Sequence, residues 1–515
     1  MSIMRSMTSR LRKQNGDGGV RKALRQLQPV ESMKNLEEET AGDYQRREFY
    51  PVLIGMTLQS RYEVLAKLGW GSGSTVWFCK DQLTKRYVAV KVCTVQLAAD
   101  GSRHVQQRLE WKAYSRLSGM ETTHEGVRFI REILERFDLM GPSGAEHPCF
   151  VFDVAGLHLQ DLEKIYPGSR LPINLTKDVL KNILKAMDFL HTEAGIVHTD
   201  IKKDNIFFPA SQRCCALFAE RLARQKPAGK HDGQGNNIVY KSVKFTDLLS
   251  SQEMSLGRPV LGDFSEAQII KDGRYGLPPR LVGPEPFRSP ESIVGMPLNT
   301  GLDLWAFSQM AFSMMSHRLL LTVYDSDGDW SPTMQLAQMQ ALMGPPPRVI
   351  LVQSRYALNY WNDDGSWKHS NRRGPSDFDN ELDTALEMAD SAAHGYLIEF
   401  LRGIFKWLPE ERATASKLLH HRFLDAAYVD DVPFEQPAAA PAVQEHRYQP
   451  LPQPQTRPQH NRQQSLQQDP EKLDWNVDRR PQTASAAGKP SMDVACQELK
   501  QMKRKQSVLR RAFMG

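Results

Sequence analysis

The 515-residue chain has no run of about 18 consecutive apolar residues, so no helix is expected to span a bilayer. Cysteine is scarce: Cys79, Cys93, Cys149, Cys214, Cys215 and Cys496 are too few and too scattered for a disulfide framework. The adjacent Cys214-Cys215 pair has the wrong spacing for a zinc knuckle or a thioredoxin-type motif, so a reducing compartment and mostly inert thiols are expected. Glycine (34) and proline (31) stay near ordinary abundance, which excludes a collagen or a wholly disordered chain. No apolar segment of the needed length follows the first basic residues, so no secretory signal is read. There is no internal repeat.

What is present is an ordinary globular mix, 40% hydrophobic and 24% charged, long enough for two or three domains. The net charge of +6 is unevenly placed: residues 1–30 balance at +6, residues 432–515 at +5, and 31–431 at −5. The basic charge therefore lies in two arms around a mildly acidic body, which favours cationic partners over nucleic acid. The first arm is a solvated basic segment by composition, although mitochondrial transit peptides share that composition. The stretch Pro433–Pro470 is rich in Pro, Gln and Ala and is expected to be disordered. Asp493–Phe513 is either a solvated tail or a basic helix through Leu499, Met502, Leu509 and Phe513.

Between the arms the periodicity changes once. Tyr62–Leu65, Thr75–Cys79 and Tyr87–Val92 read as strands joined by short polar turns, hence hairpins, and Phe150–Phe152 adds another strand. His104–Leu117 reads as a helix beside them. From Lys177 helices dominate: Asp178–His191, Thr300–Met315, Ser391–Trp407 and Thr414–His420. The expected fold class is α+β, a small antiparallel-sheet lobe followed by a larger helical lobe.

Four elements carry chemistry. Gly69-Trp70-Gly71-Ser72-Gly73-Ser74 lies between two strands, where bare backbone amides can approach phosphate oxygens. Taken alone it is also an ordinary tight turn, and no Gly-Lys-Ser/Thr makes it a Walker loop. Lys91 ends the run Val88-Ala89-Val90, and a buried lysine needs an anionic partner; Glu110 on the next helix is the natural carboxylate. His198-Thr199-Asp200-Ile201-Lys202-Lys203-Asp204-Asn205 supplies an acid for a hydroxyl proton, a lysine against phosphate charge, and an amide oxygen. Gly262-Asp263-Phe264-Ser265 follows an apolar strand. Asn205 and Asp263 are two hard oxygen ligands that suit Mg²⁺ holding nucleotide phosphates.

All four in this order define a eukaryotic-type protein kinase. Within that class, residues 61–424 resemble the SR-protein kinases (SRPK) of the CMGC group. The residues that carry the resemblance are Leu68-Gly69-Trp70-Gly71 with Ser74-Thr75-Val76-Trp77, His198-Thr199-Asp200, Phe287-Arg288-Ser289-Pro290-Glu291, Ala337–Pro347 and Tyr360–Gly365. The resemblance implies a bilobal kinase with an N-lobe at 61–155, a C-lobe at 156–424 and an insert at 209–260. Residues 1–60 and 425–515 would lie outside the domain. ATP and Mg²⁺ are the implied cofactors. Leu68, Gly69, Gly71, Ser74, Val76, Ala89, Phe152 at the gatekeeper place and Val154 in the hinge would surround the nucleotide. Lys91, paired with Glu110, would take its α/β phosphates. Asp200 would orient the substrate hydroxyl, Lys202 would stabilise the transferring phosphoryl, and Asn205 and Asp263 would bind the metal. Glu291 with Arg412, and Asp303, would be architectural.

The implied substrates are serines in Arg/Ser-rich proteins of the splicing-factor type. Asp325, Asp327 and Asp329 are acids that could pair with guanidinium groups, or else form a solvated loop. A kinase of other substrate preference and a pseudokinase scaffold are the competing readings; a small-molecule phosphotransferase would lack Ser289-Pro290-Glu291 and Arg412. No aromatic–basic RNA module is visible, so direct nucleic-acid binding is not expected. A monomer in cytoplasm and nucleus is what the resemblance implies. Thr199, in place of arginine, removes the cationic pocket that a phosphorylated activation loop would neutralise, so activity without that phosphorylation is expected. Three departures stand out: Ser265 where glycine is usual, Lys203 where proline is usual, and 58 positions between Asn205 and Asp263. In that insert, Lys241–Leu256 is expected to form a helix or ordered loop and Gly229–Asn237 a flexible tip.

Overall fold

The computed structural model describes residues 23, 25–30, 35–41, 44–71, 73–95, 105–142, 144–231, 238–270, 281–316, 318–321, 323–325, 328–369 and 391–425. The readings made for 426–515, for most of the basic arm and for Asp327 lie outside these residues.

The smaller lobe is an antiparallel sheet built from alternating β-branched and aromatic residues. Strands β1 (Tyr62–Gly71), β2 (Ser74–Asp81), β3 (Tyr87–Cys93), β4 (Ile133–Met140) and β5 (Glu146–Phe152) pair in the order β1-β2-β3-β5-β4. The short strand Thr57–Leu58 lies outside β1. Alternation decides the faces. Val88, Val90 and Val92 of β3 bury on the outer face with Tyr62, Val64, Trp77 and Cys79. Cys93 belongs to the core on the other face, which helix α1 (Val105–Ser118) helps to close through Ala113 and Tyr114. An apolar outer face needs a cover, and Tyr50, Val52, Leu53, Met56 and Leu58 supply it together with Ile238 and Tyr240.

Strand β6 (Ala155–His158) leads into the larger lobe, with α2 (Leu159–Ile165) and α3 (Ile173–Phe189). Helix α3 begins at Ile173, behind Pro172, five residues before the start read from the sequence. Its Leu180, Ile183, Leu184 and Met187 recur at three- and four-residue steps and are fully buried; each such burial contributes roughly 1.5–3 kcal/mol. The helix widens into a π turn at Leu190–Ala194 and stops at Gly195, whose φ of 60° is a left-handed cap that favours glycine. After β7 (Ile206–Pro209) the insert contributes α4 (Gln212–Leu222), β8 (Ala228–His231) and β9 (Ile238–Tyr240). The helix or ordered loop expected over Lys241–Leu256 is an ordered loop holding one short helix, Phe245–Leu248. The long helix of the insert is α4, started by Ser211, whose side chain accepts from the Cys214 N–H. Helices α5 (Gly301–Ser316), α6 (Pro332–Met343), α7 (Ser391–Arg402) and α8 (Ala415–Leu419) follow, with shorter helices at Pro290–Val294, Arg348–Gln353 and Arg422–Asp425. Every residue of α5 is buried, so it is the lobe's central post rather than a surface helix. Helix α7 ends at Arg402, shorter than read, because Gly403 turns the chain there.

The insert does not hang free. Phe78 of β2 meets Phe218 of α4 edge-on, and Phe218 stacks on Phe245 with ring centres 4.0 Å apart. Gln212 accepts from the Tyr87 N–H at 2.8 Å and donates to the Tyr87 carbonyl at 3.0 Å, so it caps the β3 backbone as a strand neighbour would. Gln28–Pro29 pair in parallel with Ala228–Gly229, and Lys67, buried in β1, reaches Glu38 and the Tyr240 carbonyl.

Candidate active site

Asn205 and Asp263 meet through one short ladder. Ile206 pairs with Leu261 and Phe207 with Val260, and the Gly262 N–H donates to the Asn205 carbonyl at 3.0 Å. The intervening chain therefore loops out as the insert and leaves the two residues side by side.

The loop His198–Asn205 is held from beneath by Asp303, in the first turn of α5 and fully buried. Its Oδ1 accepts from Thr199 N–H at 2.7 Å; its Oδ2 accepts from His198 N–H at 2.8 Å and lies 2.8 Å from His191 Nε2. Thr199 has φ of 66°, a left-handed conformation that costs a β-branched residue roughly 1–3 kcal/mol. Charge-assisted bonds from Asp303 offset that cost, and the Thr199 hydroxyl donates to the Glu266 carbonyl at 2.8 Å. His198 Nδ1 accepts from Asp200 N–H at 3.3 Å, so Nε2 carries the proton and donates to the Gly262 carbonyl at 3.1 Å.

With the backbone so fixed, the Asp200 carboxylate accepts at 2.8 Å from Asn205 Nδ2 and lies 2.8 Å from Lys202 Nζ. Burial works against the charge of Lys202, but Asp200 outweighs it and raises its pKa. Lys203, where proline is usual, lies 2.8 Å from the buried Glu163 on α2 and ties the loop to that helix. The departure thus replaces a rigid ring with an ion pair.

A second cluster closes the other side. Lys91 Nζ lies 2.8 and 2.9 Å from the two oxygens of Glu110, on α1, and 3.1 Å from Asp263 Oδ1. Burial alone would lower the Lys91 pKa, but Asp263 and Glu110 outweigh it and hold it above the usual lysine value. Burial alone would raise Asp263; Lys91, Lys202 and the Ser265 hydroxyl reverse this and hold it well below the carboxylate range. The left-handed residue here is Asp263 itself, at φ 60°, whereas Ser265 has no positive φ. Serine in place of the usual glycine therefore meets no backbone strain here, and its hydroxyl supports the ionised carboxylate.

Above this cluster, Gly69 pairs with Val76 and Gly71 with Ser74, while Ala89 pairs with Phe152. Neither glycine has a positive φ, and among the described residues a Cβ on either would meet nothing within 4 Å. The turn itself therefore does not require them; what they leave is bare backbone facing open space. Leu68 is half-buried beside them, and Val154 is fully buried just beyond β5. Sequence reading missed Arg131, whose guanidinium lies 4.4 Å from the ring centre of Phe152 and 4.3 Å from that of Phe207. A single arginine in a charged stretch gave no signal of this.

On the opposite side of the catalytic loop a cleft of about 580 Å³ is lined by Glu163, Lys164, Lys202, Lys203, Phe287 and Arg318 among others. The loop bearing Asp325 and Asp329 closes on itself, with Asp329 N–H donating to Asp325 Oδ1 at 2.9 Å, and Tyr324 and Trp330 bridge its base. The Arg288 guanidinium lies 4.1 Å over the Trp330 ring, which ties this loop to Phe287–Glu291. Further back, Arg412 grips both oxygens of Glu291 at 2.8 and 2.7 Å.

A two-lobed α+β fold with these two charged clusters, coupled through Lys202 and Asp263, defines a phosphotransferase of the protein kinase class. Residues 62–217 match the protein kinase domain family. A serine/threonine protein kinase of Aspergillus fumigatus is 31% identical over 401 residues, covering 77% of this chain and 93% of that protein. The serine/threonine-protein kinase SRPK of Physarum polycephalum is 27% identical over 410 residues, 77% of this chain and 92% of its own. SRSF protein kinase 3 of Sus scrofa is 34% identical over 213 residues, 41% of this chain and 36% of that protein. The chain belongs to the serine/threonine protein kinases and is SRPK-like among them. Members of this class use ATP with a divalent metal. Among the described residues no helix is long and apolar enough to cross a membrane.

Proposed function

We propose that the chain transfers the γ-phosphate of ATP, with Mg²⁺, to serine hydroxyls in Arg/Ser-rich proteins of the splicing-factor type. The observation that carries the transfer is the pair of clusters, Lys91–Glu110–Asp263 and Asp200–Lys202–Asn205, coupled through the charges of Lys202 and Asp263. Asp200, oriented by Asn205 and Lys202, accepts the serine proton. Lys202 offsets charge on the transferring phosphoryl, and Lys91, aimed by Glu110, takes the α/β phosphates. The bare amides around Gly69 and Gly71 and the Ser74 hairpin cover the phosphates, while Leu68, Val76, Ala89, Phe152 and Val154 surround the base.

The donor set fits Mg²⁺. Asn205 Nδ2 is engaged by Asp200, so the amide's oxygen end is left for the metal. Asp263 stays ionised, and both are hard oxygen donors. Among the described residues no three His, Cys, Asp or Glu side chains form a metal cage, which suits an ion completed by phosphate oxygens and water. The ion, when bound, neutralises charge developing on the phosphates.

The substrate class is supported by the names of the SRPK and SRSF kinase relatives, by the −5 balance of residues 31–431, and by Asp325 and Asp329 beside Phe287–Glu291. The same reading includes a kinase domain over 61–424, a monomer, a cytoplasmic and nuclear location, and activity without activation-loop phosphorylation. Phosphate transfer from labelled MgATP to an Arg-Ser repeat peptide, a Lys-Ser version and an acidic peptide tests it, with Asp200→Ala as control. Transfer to the Arg-Ser peptide alone, abolished by the substitution, is expected; transfer only to another peptide removes the substrate reading. Loss of activity on phosphatase treatment would refute the independence from phosphorylation.

A further inference from the structure

Beside Leu261 and the end of β5 lies a cation that none of these roles uses. Arg131 precedes β4, and its N–H donates to the Leu261 carbonyl at 2.8 Å, so its side chain departs beside Gly262. A Cβ at Gly262 would lie 2.9 Å from Cβ and Cδ of Arg131 and 3.0 Å from the Phe207 ring, so glycine there makes the room that arginine occupies. The guanidinium is then sandwiched between Phe152 and Phe207, with Nη2 3.4 Å from the Asp153 carbonyl. Two ring faces and one hinge carbonyl hold it, an arrangement that suits the planar, weakly hydrated guanidinium better than an ammonium. Burial lowers its pKa, and Tyr114, Asp263, Glu110 and Asp153 around it oppose that shift.

Its position bears on the base. Phe152 follows Val151 on β5 and pairs with Ala89, and Asp153 lies between Phe152 and Val154. Arg131 thus engages the backbone of the segment against which the base would lie. A guanidinium only donates hydrogen bonds. Adenine presents an amine at its 6-position, a donor, whereas guanine presents a carbonyl there, an acceptor. An amine meets donors at Arg131 and shares the Asp153 carbonyl with the Arg131 contact at 3.4 Å. A 6-carbonyl accepts a charge-assisted bond.

We infer that Arg131 sets the base preference of the nucleotide site toward a purine with a 6-carbonyl, so that GTP and ITP serve as phosphoryl donors at least comparably to ATP. This rests on the reading of Ala89, Phe152 and Val154 as the base's surroundings. The transfer is otherwise the same. The bond from the γ-phosphorus to the β–γ bridging oxygen breaks, the serine oxygen bonds to that phosphorus, its proton passes to Asp200, and GDP or IDP leaves.

The test uses the full chain with Mg²⁺, measuring affinity for ATP, GTP and ITP by thermal stabilisation and, separately, transfer from each. The wild type is expected to bind GTP and ITP within tenfold of ATP or better. Arg131→Met is expected to move the GTP-to-ATP ratio toward ATP by roughly tenfold or more, the worth of one bond to a charged group, while Arg131→Lys moves it less. Wild-type affinity for GTP and ITP more than a hundredfold below ATP overturns the inference without any variant. So does a ratio unchanged in Arg131→Met. In either case retained transfer from MgATP, lost in Asp200→Ala, shows that the proposed function survives. Binding of none of the three nucleotides overturns both together.

Discussion

Two ion-pair clusters in this molecule, each a basic side chain gripping carboxylate, are finished differently. Arg412 uses all five of its donors: two on Glu291, and one each on the carbonyls of Gly301, Lys406 and Trp407. Both partners are essentially unexposed, and the guanidinium also lies 5.1 Å over the Trp305 ring. Lys91, Glu110 and Asp263 instead place two carboxylates on one ammonium, and the Asp263 side chain stays 34% exposed toward the cleft. A saturated pair has nothing left to offer a ligand; it fixes the junction of α5 with Glu291 and the turn before α8. An unsaturated cluster keeps charge of both signs at a wet surface, which is what a phosphate and a cation need. Desolvation accounts for the contrast: a sealed pair repays its burial only when every donor and acceptor is matched.

The comparison breaks if the open cluster turns out to be structural. Lys91→Met and Asp200→Asn are expected to lower transfer about 10²–10⁴-fold, with the melting temperature nearly unchanged. An equal loss of stability in either would assign the open cluster to folding. Arg412→Met tests the sealed pair. It leaves Glu291 buried without its partner and is expected to cost about 3–5 kcal/mol in urea unfolding, with transfer per folded molecule largely kept.

A smaller effect sharpens the contrast at an intermediate case, Lys203–Glu163. Lys203→Met is expected to cost about 1–2 kcal/mol at neutral pH. Burial already holds the Glu163 carboxyl above its ordinary value, with Lys203 opposing. An acid whose folded pKa is raised costs the fold nothing below its unfolded value, and the cost grows as pH rises from there until it is complete above the folded value. The variant's deficit should therefore shrink as pH falls toward the unfolded value of 4.5, and unfolding curves across that range check it. The smallest change is expected from Ser265→Gly: transfer within about threefold of wild type, because Ser265 needs no left-handed φ and loses only one hydroxyl bond to an already paired Asp263. A large gain in rate would show that the serine restrains the loop after all.

Much of this was legible in advance where local pattern and chemistry coincide. The hairpins around Gly69, the strand carrying Lys91 and the order of His198–Asn205 and Asp263 are short-range signals, and the Lys91–Glu110 pairing followed from the need to neutralise a buried lysine. Less was legible where long-range contacts decide. Helix α4 was missed although Ser211 is a readable cap, because its apolar face, Cys214, Cys215 and Phe218, has meaning only against Phe78. Helix α6 was missed despite Ser331-Pro332, a readable start. The cover formed by Tyr50–Leu58 left no trace in composition, since a few apolar residues in a polar stretch show nothing of which sheet face they close.

Sequence alone determined the class of the protein and the residue types of its site, because phosphoryl transfer needs a small set of acids, a lysine and bare backbone in fixed order. Only the tertiary structure decided how those residues are held. It placed Asp303 under a threonine with positive φ, left Asp263 rather than Ser265 in the left-handed region, let Lys203 anchor through Glu163, and put Arg131 between two aromatic rings. Each depends on which distant groups share a buried space, where pairing and desolvation outweigh local preference, and chain order carries no direct record of that.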